Sequence, residues 1–280
     1  MDRYVVAGNP VEHSQSPFIH TEFARQTGQV MEYGRVLWPV DGFADSLRAL
    51  VDSGAKGCNV TVPFKFDAFR HATRITPRAR LAEAANVLMF DSNGWLADNS
   101  DGVGLVTDIE NNAGVALAGQ RVLLIGAGGA AAGVLGPLLA ARPLELVVAN
   151  RTLAKAQALT DRHRAAAGNT VLRASTLDEC AGGVGAFGVV INATASSLQG
   201  AGVPVPGSVL APGGLALDMM YGPAAQGFLD WATAHGAQAR DGLGMLVEQA
   251  AQAFELWRGV RPLTAPVLAS LRERMAPAGT

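Results

Sequence analysis

The stretch RVLLIGAGGAAAG, residues 121–133, constrains the fold more than any other. Four β-favouring residues, Val122 to Ile125, run into a glycine cluster, and a small-residue helix pattern follows. The wider segment 122–141 has no charge and about the length of a bilayer span, so hydropathy alone would make it a transmembrane candidate. The glycine cluster and the Gly136-Pro137 interruption favour a short buried strand, a tight turn and a buried helix. Such a unit is the opening of a nucleotide-binding βαβ fold. Gly126 permits the turn, Gly128 lets backbone approach a pyrophosphate, and a small residue at Ala131 lets helix and strand pack closely. The helix N-terminus then offers free N–H groups and a positive dipole end to phosphate.

The next strand indicates which dinucleotide. It is expected at Leu144 to Ala149, ending in the turn Asn150-Arg151-Thr152 with Lys155 shortly after. An NAD-selective site usually carries a carboxylate at this point, accepting hydrogen bonds from the ribose hydroxyls. A guanidinium, a hydroxyl and an ammonium suit a 2′-phosphate instead. Cations at a helix start also oppose the macrodipole, so a purely structural role is disfavoured. The expected cofactor is NADP(H).

Before residue 100 the pattern alternates. Strands are expected at Tyr4 to Ala7, Glu32 to Trp38 and Gly57 to Val62, with helices from Pro17 and over Gly42 to Val51. The apolar face of the second helix is Phe43, Leu47, Leu50 and Val51. Further elements are a helix over Gly102 to Asn112, strands at Thr170 to Arg173, Phe187 to Ile191 and Leu215 to Asp218, and final helices from Leu243. Turn-rich Gly200 to Gly214 reads as a loop. This is an α/β chain with a mainly parallel sheet.

Polar clusters interrupt the N-terminal half. In GCNVTVPFK, Asn59 and Thr61 alternate with Val60 and Val62, so they share one face of a strand. Pro63 ends regular pairing and leaves Lys65 just beyond. Asn-Val-Thr is equally a glycosylation acceptor pattern, which requires secretion. The first ten residues, MDRYVVAGNP, show no apolar signal core, so the expectation is a cytoplasmic chain. Ser14 and Ser16 precede Pro17. Ser16 suits an N-cap, and two hydroxyls at a helix start also suit a small carboxylate. Asn86, Asn99 and Asp101 complete the set, and Asp101 could serve as a helix cap alone.

Composition excludes other classes. Net charge is −2 over 280 residues, which gives no global field to recruit nucleic acid or an anionic membrane. Cys58 and Cys180 stand in unrelated contexts, so no disulfide framework or metal site is expected and a reducing compartment is the simplest inference.

The motifs GNPVEHSQSP, NVTVPFK, EAANVL, DNSDGVG, GAGGAA, NRT, INATASS, DMMYGP and DGLGMLVEQA occur in this order along nearly the whole chain. In this the sequence resembles the shikimate dehydrogenases. The resemblance implies two α/β domains, a mainly parallel-sheet substrate domain and a Rossmann-type dinucleotide-binding domain. It implies NADPH-dependent reduction of 3-dehydroshikimate in the synthesis of chorismate and the aromatic amino acids, by a monomer or homodimer. By the same resemblance Ser14 and Ser16 bind the substrate carboxylate. Asn59, Thr61, Asn86 and Asp101 hold its hydroxyls, Lys65 is the catalytic lysine assisted by Asp101, and Tyr221 and Gln249 are further substrate contacts. Gly126, Ala127, Gly128, Gly129 and Ala130 would hold the cofactor with Asn150, Arg151, Thr152 and Lys155, while Met219 and Gly242 line the nicotinamide. If Gln249 reaches substrate, the last helix returns to the first domain. The expected boundaries are then 1–103 with 240–280 for the substrate-binding domain and 104–239 for the NADP domain. Ser100 and Val87 depart from the threonines usual in the family at those positions. A quinate/shikimate dehydrogenase using either cofactor and a catalytically silent ligand sensor are the alternatives. The sensor is disfavoured because Lys65 and Asp101 are both present.

Overall fold

In the computed structural model, which describes residues 1–181, 185–194 and 203–276, the chain divides into two units. One is Met1–Gly104 with the stretch from Leu246 onward, and the other is Leu105–Met245.

The first unit runs β1 (Asp2–Gly8), α1 (Ser16–Thr27), β2 (Met31–Leu37), α2 (Phe43–Asp52), β3 (Gly57–Val60), α3 (Lys65–His71), β4 (Arg74–Ile75), α4 (Pro77–Ala82), β5 (Val87–Asp91), β6 (Gly94–Asp98) and the start of α5 (Asp101–Thr107). Its sheet has the order β2-β1-β3-β5-β6-β4. Pairings β1–β2, β1–β3 and β4–β6 are parallel, while β3–β5 and β5–β6 are antiparallel. The chain can follow β1 with β2 and β3 in parallel because α1 and α2 supply the crossovers. β1 is buried on both faces, hence its unbroken apolar run. Val5 and Ala7 pack with Phe43, Leu47 and Leu50 of α2. Tyr4 and Val6 pack with Tyr33 on the opposite side, against Trp257.

Several elements differ from the sequence expectation. β3 stops at Val60, two residues early, and Thr61 to Phe64 form a turn whose Phe64 amide donates to the Thr61 carbonyl at 3.0 Å. The hairpin β5–β6 and the helices α3 and α4 were not expected. The expected single helix over 102–112 is α5 followed by a π-helical turn, Asp108–Asn112. Ser16 is the first helical residue of α1 rather than its cap; Gln15 occupies the cap position and its own side chain makes no capping bond.

The second unit continues with β7 (Arg121–Ile125), α6 (Gly129–Ala140), β8 (Glu145–Ala149), α7 (Leu153–His163), β9 (Val171–Ser175), α8 (Leu177–Ala181), β10 (Phe187–Asn192), β11 (Leu210–Asp218), α9 (Gln226–Ala234), β12 (Gln238–Arg240) and the start of α10 (Leu243–Arg258). The last helix of the chain, α11 (Thr264–Met275), belongs to the first unit. The sheet order β12-β11-β10-β7-β8-β9 is parallel throughout. This is the doubly wound order in which the chain reverses direction between its first and fourth strands. Alternate residues of β7 serve the two faces. Val122 and Leu124 pack with Val134, Leu135 and Leu138 of α6, and Leu123 and Ile125 pack with Phe228 and Ala232 of α9. Segment 122–141 is therefore a strand, a turn and a helix, and among the described residues no helix is long and apolar enough to cross a membrane. Of the expected loop over 200–214, residues 200–202 lie outside the described residues, Gly207–Val209 form a 3-10 turn and β11 already begins at Leu210.

Candidate active site

Asn59, Thr61 and Lys65 leave the C-terminal end of β3, in the middle of the first sheet. Gly8 at the end of β1 is what allows Thr61 to sit there, because a Cβ on residue 8 would collide with the Thr61 methyl. The Asn59 amide is held on both sides. Its Oδ1 accepts from the Tyr33 hydroxyl at 2.6 Å, and its Nδ2 donates to the Asn86 carbonyl at 3.2 Å. Ser14 and Ser16 lie together at the start of α1, with their hydroxyls 3.2 Å apart and the Ser16 amide donating to Ser14 Oγ at 3.3 Å. Because Ser16 is not consumed as a cap, both hydroxyls remain available to a ligand.

Lys65 lies past the strand end as expected and is the first residue of α3, with its side chain turned towards the start of α5. Its Nζ donates to Asp101 Oδ2 at 2.5 Å, with side chains 14% and 2% exposed. The other Asp101 oxygen accepts from Asn86 Nδ2 at 2.8 Å. Both carboxylate oxygens are thus engaged by side chains from elsewhere, which is more than a helix cap. Asn86 Nδ2 also lies 3.1 Å from Ser100 Oγ and 3.0 Å from Gln249 Oε1 of α10. Its Oδ1 accepts the Ser100 amide at 2.8 Å, so the serine at position 100 keeps the hydroxyl within the network. Asn99 accepts the Asp101 amide at 3.1 Å and donates to the Ala84 carbonyl at 2.9 Å, locking the strand-to-helix corner. A nearly buried ammonium–carboxylate pair costs desolvation and is retained where it serves chemistry or specificity. Here the amine is held in place by a carboxylate that is itself hydrogen-bonded to Asn86.

In the second unit, Gly126 follows β7 with φ 114°, a conformation that glycine adopts without strain. A Cβ there would stand 3.2 Å from the Ala193 backbone at the end of β10, the neighbouring strand across the reversal point. Gly128 caps α6 with open space where a Cβ would go, and as a glycine it brings no side chain to the free amides of that helix end. Gly129 and Ala130 begin the helix and Ala131 is fully buried against the sheet. After β8, Asn150 is pinned through its amide to the Ser175 carbonyl at 3.1 Å and through Nδ2 to the Thr152 carbonyl at 2.9 Å. Arg151, Thr152 and Lys155 are exposed, and neither cation has an ion pair among the described residues. An open glycine turn with free amides beside two unengaged cations fits a dinucleotide carrying an extra phosphate. Met219 continues β11, its amide donating to the Asn192 carbonyl at 3.0 Å. Gly242 donates to the Met220 carbonyl at 2.8 Å, and a side chain at 242 would collide with the Met219 carbonyl. Tyr221 precedes the 3-10 turn Gly222–Ala224 in this same unit, separate from the other expected substrate contacts, which belong to the first.

Three groups escaped the sequence reading. Tyr33, on β2, reaches Asn59; strand alternation with Arg35 was its only signal. Asp98 is buried and held by the Arg78 guanidinium, by Thr76 and by the Asn99 amide. Burial alone would raise its carboxyl, but these partners outweigh it and hold it below the ordinary value. Asp108, fully buried at the π-helical turn, takes a two-pronged bond from Arg240 at 2.7 and 2.5 Å. Arg240 is thereby anchored two residues before Gly242.

A doubly wound parallel sheet with a glycine turn at its reversal point, in a chain that also carries a held ammonium–carboxylate pair, defines an α/β dinucleotide-dependent oxidoreductase. Three family profiles match: "Shikimate dehydrogenase substrate binding domain" at residues 6–88, "Shikimate / quinate 5-dehydrogenase" at 108–199, and "Shikimate 5'-dehydrogenase C-terminal domain" at 242–272. The shikimate dehydrogenase (NADP(+)) of Methylibium petroleiphilum is 61% identical over 97% of this chain and 94% of its own. That of an Acidovorax species is 61% identical over 98% and 97%. Among solved structures, shikimate 5-dehydrogenase from Thermus thermophilus in complex with NADP(H) and shikimate superposes with a TM-score of 0.84, 29% identity and coverage of 98% and 99%. The chain belongs to the shikimate dehydrogenase family.

Proposed function

We propose that the chain catalyses the reversible NADPH-dependent reduction of 3-dehydroshikimate to shikimate, on the route to chorismate and the aromatic amino acids. The observation that carries this is the Lys65–Asp101 pair, 2.5 Å apart and shared with Asn86. Reduction of a ketone needs a hydride on carbon and a proton on oxygen. Bound NADPH supplies the hydride. Lys65, as an ammonium, delivers the proton, and in the oxidation direction takes it back. Asp101 keeps the amine aimed and accepts from the substrate hydroxyl. Positioned proton transfer of this kind is worth on the order of 10²–10⁴ in rate.

Ser14 and Ser16 bind the carboxylate, while Asn59, Thr61 and Asn86 hold ring hydroxyls and Gln249 and Tyr221 add further contacts. Residues 126–130 hold the pyrophosphate of the cofactor. Asn150, Arg151, Thr152 and Lys155 hold its 2′-phosphate end, and Met219 and Gly242 flank its nicotinamide. The first unit is then the substrate-binding and catalytic domain and the second the NADP domain. The enzyme works in the cytoplasm as a monomer or homodimer, a setting supported by two unpaired cysteines, Cys58 and Cys180.

The test is the initial rate of oxidation of shikimate and of quinate, each with NADP⁺ and with NAD⁺. Turnover of shikimate with NADP⁺ and little with NAD⁺ is expected. Equal rates with both cofactors would overturn the role of Arg151. Preference for quinate would move the enzyme to the broader dehydrogenase class. No turnover, with ligands still bound, would overturn the catalytic assignment.

A further inference from the structure

The carboxylate end of the proposed pocket is lined by two neutral hydroxyls, yet its ligand is an anion. β2 supplies what is missing. Tyr33 and Arg35 are two apart on that strand, so they leave the same face. The Arg35 guanidinium puts Nε and Nη2 on the Ser14 backbone carbonyl at 3.0 and 2.5 Å. It therefore holds in place the residue whose side chain meets Ser16. Arg35 has no ion pair among the described residues. Glu12, the acidic residue on the same loop, instead turns back to accept the Val11 amide at 3.2 Å.

Tyr33 complements this. By donating to Asn59 Oδ1 it consumes the acceptor of that amide, and Nδ2 spends one hydrogen on the Asn86 carbonyl. The remaining N–H is what Asn59 can offer a ligand, so Asn59 is held as a donor. The Tyr33 phenol itself is pushed well above its ordinary value, chiefly by burial and also by the Cys58 thiol. The Ser16 hydroxyl and the Arg35 charge pull the other way.

We propose that Arg35 and Tyr33 are positioning residues that make this end of the pocket selective for an anionic ligand: Arg35 fixes the Ser14 loop and gives the serine pair its positive field, and Tyr33 fixes Asn59 as a donor. The inference rests on the reading that Ser14 and Ser16 receive the substrate carboxylate. Arg35 is exposed, so its replacement leaves the core intact.

The experiment measures steady-state oxidation of shikimate with NADP⁺, at low and high salt, for the wild type, R35Q, R35K and Y33F. Shikimate methyl ester, which lacks the charge, is measured as a competitive inhibitor. R35Q is expected to raise KM for shikimate about fivefold while kcat and KM for NADP⁺ stay near wild type, and to flatten the salt dependence of kcat/KM. R35K should recover part of the loss and of the salt dependence. Ester inhibition should weaken less than shikimate binding in R35Q, since it loses the positioning of Ser14 but not the charge attraction, whereas Y33F should weaken acid and ester alike because Asn59 serves both. An R35Q enzyme with wild-type KM and salt dependence, or with equal losses for acid and ester, would overturn the inference while leaving the activity established. A wild type that binds NADP⁺ but does not oxidise shikimate would instead refute the functional reading, and this inference with it.

Discussion

His20 makes the stability of this protein depend on pH in a way that can be calculated. The imidazole is fully buried under the first sheet, stacked face to face on Tyr33 with centroids 4.1 Å apart, and among the described residues neither ring nitrogen makes a hydrogen bond of ordinary geometry. Burial lowers its pKa to about 3, against a weaker opposing pull from Asn59. In the folded chain His20 is therefore neutral down to strongly acid conditions, while in the unfolded chain it takes up a proton near its ordinary value of 6.5. Between those two values the unfolded state binds more protons, so stability is complete above the unfolded value and falls as the pH falls. Going from about pH 7.5 to about pH 5, the loss from this one group is about 2 kcal/mol. His20→Phe keeps the stacking surface and removes the titration. Urea unfolding of wild type and variant at both pH values isolates the effect, because every other titrating group is common to both. The variant should lose about 2 kcal/mol less than the wild type over that interval. Equal losses in the two proteins would refute the argument, and would mean that His20 is solvated or protonated in the folded chain.

Lys65→Ala should lower kcat by about 10²–10⁴ with a much smaller change in shikimate KM, since it removes the proton donor and leaves the carboxylate and hydroxyl contacts; a near-normal kcat in a steady-state assay would dismiss the assignment. Gly244→Ala should cost about 1–3 kcal/mol in thermal or urea unfolding, because the added methyl falls on the Asp108 carboxylate and must part it from Arg240; unchanged stability would mean that this pair carries no load.

The features that were legible in the sequence are those written by local chemistry. Gly126 and Gly128 stand where a tight turn and an open helix end require them, and Arg151 stands where a carboxylate would otherwise be. The parallel character of the second sheet follows from strands alternating with helices. What was missed depends on contacts between distant segments. Lys65 does lie beyond a strand end as expected, but the helix α3 that begins at that residue went unread, because seven residues leave little periodicity to detect. The β5–β6 hairpin did carry a signal, Asn93-Gly94, with Gly94 at φ 104°, but the flanking stretches Val87–Phe90 and Trp95–Ala97 are continuously apolar and show no strand alternation. The pairing of Asp108 with Arg240 spans more than a hundred residues and leaves no local mark. Tyr33 reads as an ordinary strand residue until the fold brings Asn59 beside it.

The amide nitrogen of Asn86 has two hydrogens, and three oxygens lie within reach of it, on Ser100, Asp101 and Gln249. The nitrogen is oversubscribed before any ligand arrives. A substrate hydroxyl that engages it does not fill a gap; it displaces a neighbour, and Gln249 on α10 is the partner from the most distant part of the sequence. On the proposed reading, ligand entry at this point is an exchange of hydrogen bonds with the amide as the common pivot. If Asn86 holds a ring hydroxyl as proposed, discrimination falls to whether the ligand gives the displaced Gln249 oxygen a new donor.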